Sequence, residues 1–379
     1  MNSNKLDDHS RNLRNLRVAL VYDRVNKWGG AERVLLSLKK IFPDAPLFTS
    51  LYSKETAKWA DDFEVHSSFL QNIDFFKKRN EALATLMPIA FENFKFDEFD
   101  LVVSVTSEAA KGIITKPNTC HICYCLTPTR YLWSSYETYF ENDLFRFISK
   151  PAVSYLRAWD KTASQRPDYI ASISKEVQRR VRLYYGRESD LLYPPVSLRK
   201  YKKTKKGGYF LLVSRLSRVA PYKKIDLAIK AFSKTNFPLK IAGSGSGLSY
   251  FQSIAGKNIE FLGEVDDEHL SELYSGANAL IFPSNEDFGL VVVESHMHGT
   301  PVIAFRGGGS LETIVEGVNG EFFDNQSEES IIGVLKKFDY NRYNDGKIRK
   351  SAEKFSSERF MKEFKKYIEE KTTEYFFNL

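Results

Sequence analysis

Apolar residues occur along this chain in two patterns that alternate with each other. Short apolar runs rich in β-branched residues recur, and each is followed by a segment with apolar residues at helical spacing. The first pair is LRVALVY at 16–22 and AERVLLSLKKIF at 31–42. This rhythm predicts strands that alternate with helices, which is typical of parallel sheets covered by helices on both faces.

The rhythm is interrupted once, by YPPVSLRKYKKTKKGG at 193–208. Two prolines, a basic run and two glycines predict a linker there. Strands are predicted before it at 100–107, 120–126 and 168–174, and after it at 209–216, 239–242, 258–265, 278–284 and 300–305. We therefore predict an α/β fold of two Rossmann-like domains, residues 1–196 and 207–355, which face a central cleft. Residues 356–379 are predicted to form a helix that packs on the body through Phe360, Phe364 and Tyr367.

Composition places the chain among ordinary globular proteins and adds a mild preference for anions. Of 379 residues, 42% are hydrophobic and 27% are charged, and the formal net charge is +7. The excess of cations favours anionic partners. No apolar run approaches the roughly 18 residues of a spanning helix. The polar N-terminus lacks the apolar core of a signal peptide, so a cytoplasmic protein is expected.

The three cysteines lie together in TCHICYC, at 120, 123 and 125, around His121. They raise the question of a metal site. No second Cys/His pair exists to complete a zinc site, and the segment has strand character, so a buried strand is the preferred interpretation.

Two acids flank a Phe-Gly pair in NEDFGLVVVESHMHGTPVIAF, directly after a predicted strand. Glu286 follows the strand, Gly289 allows close approach of the backbone, and Glu294 lies more than one turn into the next helix. The first N–H groups of a helix suit an anion, whereas carboxylates accept hydrogen bonds from hydroxyls. Amides between two carboxylates match a nucleoside diphosphate sugar, which carries hydroxyls on both sides of its diphosphate. The alternative is a pair of solvated surface acids.

Positive charge for a diphosphate is available in VSRLSRVAPYKKID. Arg215 stands at a predicted strand end, and Arg218, Lys223 and Lys224 precede a helix. Arginine forks and lysine ammonium groups both suit phosphate oxygens. Solvated surface cations are the alternative. The loop WGGAER, with Gly29 and Gly30, does not match a dinucleotide fingerprint.

With these motifs in place, nearly the whole chain, from GGAERVL to ERF, resembles the family-4 retaining glycosyltransferases of the GT-B fold. It looks most like the mannosyltransferase-type members that build surface polysaccharides. The most specific element is E-x7-E, from Glu286 to Glu294. The resemblance implies that the first acid holds the donor sugar, the second holds the ribose, and Arg215 with Lys223 holds the diphosphate. It also implies donor contacts by Val265 near the nucleobase and by Gly29, Gly30, Phe288, Gly289 and Leu290.

The chain departs from this family pattern in two places. The spacing from arginine to lysine is about three residues longer than usual, so Arg218 is an alternative partner for Lys223. Many members have a histidine where this chain has Leu126, within CYCLTPTRYLW. Thr127 and Arg130 are the candidates to take over this role on the sugar or acceptor side.

The resemblance implies a metal-independent hexosyltransferase without a cofactor that acts on surface polysaccharide. The expected partners are a GDP- or UDP-hexose donor, with GDP-mannose as the first choice, and a glycan or lipid-linked acceptor. No Asp-x-Asp pair, which metal-dependent transferases use, occurs in the chain. A nucleotide-sugar epimerase of the same fold and a non-catalytic nucleotide-sugar-binding protein are the alternatives. A nucleic-acid binder is disfavoured because no recognised module is present.

Two segments mix aromatic and basic residues, at 72–94 and 139–161. Such helices can lie in a bilayer interface with their cations toward anionic lipid. The alternative is that the aromatic residues are core and the cations are solvated. The residues concerned are Phe75, Phe76, Lys77, Lys78 and Arg79 in one segment and Phe145, Arg146, Phe147 and Lys150 in the other. We therefore expect reversible contact with the inner face of the cell membrane.

Overall fold

The alternation of strands and helices produces two α/β units. The structure is a computed structural model, and it describes residues 16–73, 84–140, 142–197, 204–218 and 220–379. The first unit runs to Pro195 and also includes Ser357–Leu379, whereas the second comprises Val196–Ser356. The chain therefore leaves its first unit once and returns to it at the last helix.

The first unit is built on a parallel sheet of seven strands in the order β3-β2-β1-β4-β5-β6-β7. Every residue of β1, β4 and β5 is buried, as expected where helices cover both faces of a sheet. The strand bounds are β1 Val18–Tyr22, β2 Leu47–Thr49, β3 Val65–Ser67, β4 Leu101–Thr106, β5 Cys120–Cys125, β6 Tyr169–Ser172 and β7 Asp190–Leu191.

The second unit has a parallel sheet of six strands in the order β10-β9-β8-β11-β12-β13. Its core includes Phe232, Ile241 and Ile303, each fully buried. The strand bounds are β8 Phe210–Val213, β9 Leu239–Ala242, β10 Ile259–Gly263, β11 Leu280–Phe282, β12 Val302–Phe305 and β13 Gly320–Phe323.

Helices cover both sheets, and their ends follow local chemistry. The fifth helix, for example, begins where Ser174 accepts a hydrogen bond from the Val177 N–H and ends at Gly186, whose φ is 66°. In chain order the described α-helices are α1 Gly30–Ile41, α2 Met87–Glu92, α3 Tyr136–Tyr139, α4 Asp143–Ala163, α5 Lys175–Tyr185, α6 Ile225–Ser233, α7 Leu248–Ser253, α8 Asp267–Gly276, α9 Leu290–Met297, α10 Ser310–Thr313, α11 Glu328–Lys337, α12 Asp345–Ala352 and α13 Ser357–Phe377.

The last helix, α13, packs on the first sheet. The rings of Phe360 and Phe364 lie with their centroids 5.8 Å from the ring of Tyr124 on β5. The Tyr375 hydroxyl donates a 2.6 Å hydrogen bond to the carbonyl of Pro117. These contacts attach the end of the chain to the unit in which the chain begins.

Both sheets reverse their strand order near the middle, between β1 and β4 in the first unit and between β8 and β11 in the second. Loops that leave the carboxyl ends of such neighbouring strands diverge, and ligands of open α/β sheets bind there. The segments after β1, β4, β8 and β11 are therefore the places to examine for function.

Candidate functional site

In the second unit, the loops after β8 and β11 meet through an ion pair. The Lys223 ammonium donates a 2.8 Å hydrogen bond to Glu286 Oε1. The two side chains are 18% and 21% exposed, so the pair is partly open to solvent. The Ser284 hydroxyl donates a 3.0 Å hydrogen bond to the Lys223 carbonyl, which ties the lysine loop to the end of β11. Two of the predicted site residues are thus in direct contact.

The electrostatics of Lys223 also involve Arg215. Burial of Lys223 opposes its charge, but Glu286 and Tyr222 together outweigh this effect and raise the pKa of Lys223 above its ordinary value. The charge of Arg215 acts in the opposite direction on the same pKa. Arg215 itself is exposed. Lys223 therefore stays protonated at neutral pH, within the field of a second cation.

Arg218, the alternative partner of Lys223, has a different contact. Its guanidinium lies 4.4 Å from the ring centroid of Tyr250, a cation–π arrangement. The loop that carries both arginines is held by the glycine turn after β9. A Cβ at Gly243 or Gly245 would lie 2.0 Å from the Ser214 carbonyl oxygen or 2.2 Å from the Leu216 carbonyl oxygen, respectively. The GSGSG motif therefore supports the arginine loop.

Three glycines after β12 hold the backbone of the Glu286 loop in place. The Gly309 N–H donates a 2.9 Å hydrogen bond to the Glu286 carbonyl. Gly308 has a φ of 60°, and a Cβ there would lie 2.2 Å from the same carbonyl oxygen. A side chain at the third glycine, Gly307, would also clash, because a Cβ there would lie 2.7 Å from the Phe305 ring. Side chains in this segment would displace the acid loop.

The helix after Glu286 begins at a glycine, as predicted. Gly289 has a φ of 83° and precedes α9, which starts at Leu290 and has no side-chain cap. Phe288 is buried, with its ring 5.3 Å from that of Phe355. The Phe-Gly pair thus anchors one side of the loop in the core and leaves the helix start beside Glu286.

Glu294 lies further along α9 and is partly buried. Its Oε2 accepts a 2.9 Å hydrogen bond from the Tyr274 hydroxyl. The Tyr274 ring is stacked on His298 at 5.3 Å, and His298 Nδ1 lies 2.7 Å from the Glu294 carbonyl oxygen. Val265, the predicted nucleobase contact, is partly buried against the same core cluster as Tyr274.

The predicted residues of the first unit lie in two segments, one after β1 and one after β5. Gly29 is extended, with a φ of −178°, and precedes α1, where Gly30 is the first residue. Thr127 is buried, and its hydroxyl donates a 3.2 Å hydrogen bond to the Pro128 carbonyl. Arg130 is partly exposed, as is Leu126. The backbone N–H of Leu126 pairs with Thr106 on β4.

The cysteines lie in β5, as predicted, and all three are buried. Burial raises the pKa of Cys123 to about 11. His121 Nε2 lies 2.8 Å from the Ser104 hydroxyl, and burial lowers the pKa of His121 to about 3. Within the described ranges, no group of three or more His, Cys, Asp or Glu side chains is arranged to hold a metal ion.

Of the two aromatic and basic segments, the structure describes residues 72–73 and 84–94 of the first and residues 139–140 and 142–161 of the second. Phe75, Phe76, Lys77, Lys78 and Arg79 lie outside the described residues. The other segment contains α4, where Leu144, Phe147 and Ile148 are 68%, 76% and 65% exposed. No helix in the described part of the chain combines the length and apolar character needed to cross a bilayer.

Two polar groups in the first unit were absent from the sequence predictions. One joins Arg24, Glu108 and Tyr131, and the other joins Lys111 and Asp160. Arg24 and Glu108 stand within two residues of the ends of β1 and β4, which is the signal that could have drawn attention to them. Lys111 and Asp160 are 49 residues apart, and nothing local in the sequence predicts their contact.

A known protein family matches this chain in its second unit. Residues 197–356 match the family described as glycosyl transferases group 1. The D-rhamnosyltransferase WbpZ of Pseudomonas aeruginosa is 29% identical over 169 residues, which are 41% of this chain and 44% of that protein. An uncharacterized glycosyltransferase of Methanocaldococcus jannaschii is 31% identical over 163 residues, or 39% of this chain and 42% of that protein. The chain thus spans less than half the length of these two curated relatives.

The fold resembles solved structures over almost the whole chain. Anabaena Alr3699/HepE in complex with UDP and glucose has a TM-score of 0.66 and 18% identity, covering 93% of this chain and 99% of that one. The lipopolysaccharide outer core galactosyltransferase WaaB has a TM-score of 0.63 and 18% identity, with the same coverage. The predicted fold class, GT-B with two parallel-sheet α/β domains, is confirmed. The match to the glycosyl transferases group 1 family lies within the second unit.

Proposed function

We propose that this protein is a retaining, metal-independent hexosyltransferase. It moves a hexose from a GDP- or UDP-sugar to a glycan or lipid-linked acceptor in the synthesis of surface polysaccharide. The observation that carries the proposal is the partly exposed Lys223–Glu286 pair, which spans 2.8 Å at the carboxyl ends of β8 and β11. Such a pair, beside a helix that begins at Gly289, offers the complementary groups for a diphosphate and for sugar hydroxyls.

The donor would exchange partners with this pair. A diphosphate attracts Lys223 and Arg215, which releases Glu286 to accept hydrogen bonds from hydroxyls of the hexose. Glu294, further along α9, accepts from the ribose hydroxyls, and Val265 contacts the nucleobase. Gly29, Gly30 and the Phe288–Leu290 segment contribute backbone contacts to the donor. Thr127 and Arg130 serve the sugar or acceptor side.

Positioning and charge stabilisation are the contributions of these side chains to the reaction. As the bond between the anomeric carbon and the diphosphate breaks, negative charge develops on the leaving group. Lys223 and Arg215 stabilise this charge in a partly desolvated site, where a fixed cation has its largest effect. Glu286 holds the hexose so that the incoming hydroxyl approaches the same face, and a fixed orientation lowers the entropic part of the barrier.

The donor is tested first by a thermal-shift screen with GDP, UDP, GDP-mannose, UDP-glucose and UDP-galactose. A ligand that binds the folded protein raises its unfolding temperature with concentration. GDP-mannose is the first choice, and UDP-sugars are supported by the neighbour that holds UDP and glucose. Lys223→Ala should abolish the shift. The matched control is Lys230→Ala, because Lys230 forms an exposed pair with Asp226 at 3.7 Å.

Transfer itself is tested by incubating the binding nucleotide sugar with and without acceptor glycans. Formation of an acceptor-linked hexose with retained anomeric configuration, in the presence of EDTA, supports the proposal. Release of nucleotide and free sugar alone, without any need for an acceptor, contradicts it and favours an epimerase. A thermal shift without any turnover favours a non-catalytic binding protein.

Peripheral membrane contact is the second part of this proposal. Leu144, Phe147, Ile148 and Tyr155 are spaced to lie on one side of α4, and Tyr155 is 49% exposed. Lys150 is exposed on the same helix. An exposed apolar stripe beside a cation suits the interface of an anionic bilayer, which also holds lipid-linked acceptors.

Liposome sedimentation tests this contact. Binding should need anionic lipid, weaken with salt and fall in the double variant Phe147→Ser, Ile148→Ser. The matched control is Leu183→Ser on α5, where Leu183 is 61% exposed. Equal sedimentation of the double variant and the control, or no sedimentation of the unchanged protein at low salt, contradicts the contact.

A further inference from the structure

Three loops of the first unit bring a cation, an acid and a phenol together at the strand reversal of the sheet. Arg24 follows β1, Glu108 follows β4 and Tyr131 follows β5. An Arg24 guanidinium nitrogen lies 2.7 Å from a Glu108 carboxylate oxygen. The Tyr131 hydroxyl donates a 2.9 Å hydrogen bond to the same carboxylate. Glu108 is therefore the centre of a cluster formed by segments from three adjacent strands.

The turn that carries Glu108 is fixed from one side by Asp23. This buried carboxylate accepts hydrogen bonds from the Thr106 hydroxyl at 2.9 Å and from the Ser107 N–H at 2.7 Å. It also accepts from the N–H groups of Ala109 and Ala110, at 2.9 and 2.8 Å. One side chain thus accepts from three of the four turn amides between Ser107 and Ala110, which pre-organises the position of Glu108.

The turn is fixed from the other side by a buried ion pair. Lys111 donates a 2.6 Å hydrogen bond to Asp160, and both side chains are at most 3% exposed. Lys111 also donates to the Glu108 carbonyl, whose oxygen lies 3.3 Å from the Thr129 hydroxyl oxygen. The Asp160 carboxylate also accepts hydrogen bonds from Trp133 Nε1 at 2.7 Å and from the Thr129 hydroxyl at 2.9 Å. The residues on either side of Tyr131, Thr129 and Trp133, are therefore fixed relative to the turn that carries Glu108.

The cluster retains hydrogen-bonding capacity and some exposure. The Arg24 and Glu108 side chains are 20% and 13% exposed. The Arg24 Nε atom is buried and has no hydrogen-bond partner among the residues that the structure describes. A guanidinium N–H next to a carboxylate offers a donor and an acceptor side by side, which matches a sugar diol. A phosphate would be repelled by the negative charge of Glu108.

We propose that Arg24, Glu108 and Tyr131 form the acceptor-binding site and that they recognise adjacent hydroxyl groups of a sugar rather than a phosphate. This inference rests on the proposed glycosyl transfer and names the acceptor chemistry for it. Glu108 accepts from the hydroxyl groups, Arg24 donates to one hydroxyl oxygen, and Tyr131 orients Glu108. Asp23, Lys111 and Asp160 are positioning residues.

The protonation states agree with this arrangement. Burial opposes the charge of Arg24, but Glu108, Tyr131 and Asp23 together outweigh burial and raise the pKa of Arg24. Burial, and then Glu108, raises the pKa of Tyr131 well above its ordinary value. Tyr131 thus remains a hydrogen-bond donor throughout the accessible pH range, and Arg24 remains a cation.

The test uses ligand-observed NMR of the full chain with two kinds of probe. One is a panel of methyl hexopyranosides of mannose, glucose and galactose, followed by saturation transfer. The other is inorganic phosphate, followed by line broadening of its phosphorus resonance. The variants are Glu108→Gln and Tyr131→Phe. The matched control is Glu188→Gln, because Glu188 pairs with Arg182 at 2.5 Å on the surface, with 75% and 71% of the side chains exposed.

At least one methyl hexoside should bind the unchanged protein and the Glu188→Gln control equally. Glu108→Gln should weaken that binding by about fivefold or more and gain phosphate binding, because it leaves Arg24 without its counter-charge. Tyr131→Phe should weaken hexoside binding by about two- to fivefold. It decides the question if Glu108→Gln fails to fold.

Two results would overturn the acceptor site. One is hexoside binding that Glu108→Gln and Tyr131→Phe leave unchanged. The other is an unchanged protein that binds phosphate and none of the hexosides. Calorimetry with GDP and UDP keeps this outcome separate from the donor proposal, since both variants should bind the nucleotide as the unchanged protein does. A lack of nucleotide binding by the unchanged protein would contradict the proposed function instead.

Discussion

Each unit of this protein carries a lysine–carboxylate pair close to the carboxyl edge of its sheet, and the two pairs differ in exposure. Lys223 and Glu286 in the second unit are about a fifth exposed. Lys111 and Asp160 in the first unit are at most 3% exposed, and Asp160 accepts two further hydrogen bonds. A half-open pair can exchange one partner for a ligand at modest cost. A buried, fully bonded pair cannot, because each charge left alone would be poorly solvated.

The difference also separates two kinds of site construction. In the second unit, glycines bring the backbone close to Glu286, and the charged side chains of Lys223 and Glu286 stay partly exposed. In the first unit, buried charges hold the turn on which Glu108 stands. Charged residues near the strand ends therefore differ between the two units: the second unit has a partly exposed pair, whereas the first has a buried pair that fixes a turn. The predictions below test that distinction.

The largest effect is expected on stability in the first unit. Asp160→Ala leaves the Lys111 charge buried without its counter-charge and removes a partner from Thr129 and Trp133. Breaking a buried pair in this way costs about 3–5 kcal/mol of unfolding free energy. Glu286→Ala, whose pair is partly exposed, should cost about 1 kcal/mol or less. Urea unfolding followed by circular dichroism measures both, and equal losses would show that the burial difference does not matter.

The next effect is on catalysis in the second unit. Glu286→Ala should lower kcat by about 10²–10³, or roughly 3–4 kcal/mol, if this acid orients the hexose in the transition state. Binding of the nucleoside diphosphate alone should change little, because that part of the donor is assigned to Lys223 and Arg215. Glu294→Ala should instead weaken nucleotide binding. Turnover and nucleotide affinity like those of the unchanged protein in both variants would contradict the assignment.

Acidification should lower the unfolding free energy of the two units by similar amounts. Burial lowers the pKa of His121 in β5 to about 3 and that of His296 in α9 to about 4. Because both values lie below the unfolded value near 6.5, the stability that neutral histidine provides is present above pH 6.5 and is lost as the pH falls. Each histidine should cost about 2 kcal/mol between pH 7 and pH 5.

Unfolding free energies across this pH range check the histidine prediction. His121→Asn and His296→Asn should each reduce the loss on acidification by about 2 kcal/mol, because each variant removes one group that takes up a proton on unfolding. A histidine whose removal leaves the slope intact does not titrate as the buried environment indicates.

The sequence predicted the strands that lie in apolar runs and missed several that do not. LRVALVY, DLVVSVTS and CHICYC contain β1, β4 and β5, since short apolar runs rich in β-branched or bulky residues predict a buried strand. The three-residue β11 was predicted from the apolar run ALIF, whereas β2, β3 and β7, with three, three and two residues, lie in no such run. Four-residue β13 reads GEFF, and its position comes from pairing with β12 rather than from a local pattern.

The same distinction applies to the site. Glu286 and Glu294 could be predicted because their spacing, the glycine between them and the preceding strand all lie within one short segment. The Lys223–Glu286 contact joins residues 63 apart, and the motif alone gives its members but not their distance. Glu108 and Arg24 are 84 residues apart, and no shared motif marks them. Only the strand order, which places β1 beside β4, brings them together.

The smallest and sharpest comparison is between the two arginines of the loop after β8. Arg215 is exposed and acts on the pKa of Lys223, whereas Arg218 lies over the ring of Tyr250 at 4.4 Å. If Arg215 contacts the diphosphate, Arg215→Ala should weaken GDP or UDP binding by about tenfold or more, since a hydrogen bond to a charged group contributes about 1.5–3 kcal/mol. Arg218→Ala should leave nucleotide affinity nearly unchanged and cost about 0.5–1 kcal/mol of stability through its lost cation–π contact. Calorimetric titration and urea unfolding of both variants provide the two readouts.

Tyr250→Leu should reproduce the stability loss of Arg218→Ala without affecting nucleotide binding. A larger loss of affinity in Arg218→Ala than in Arg215→Ala would reverse the assignment and would mean that Arg218 leaves Tyr250 when the donor binds.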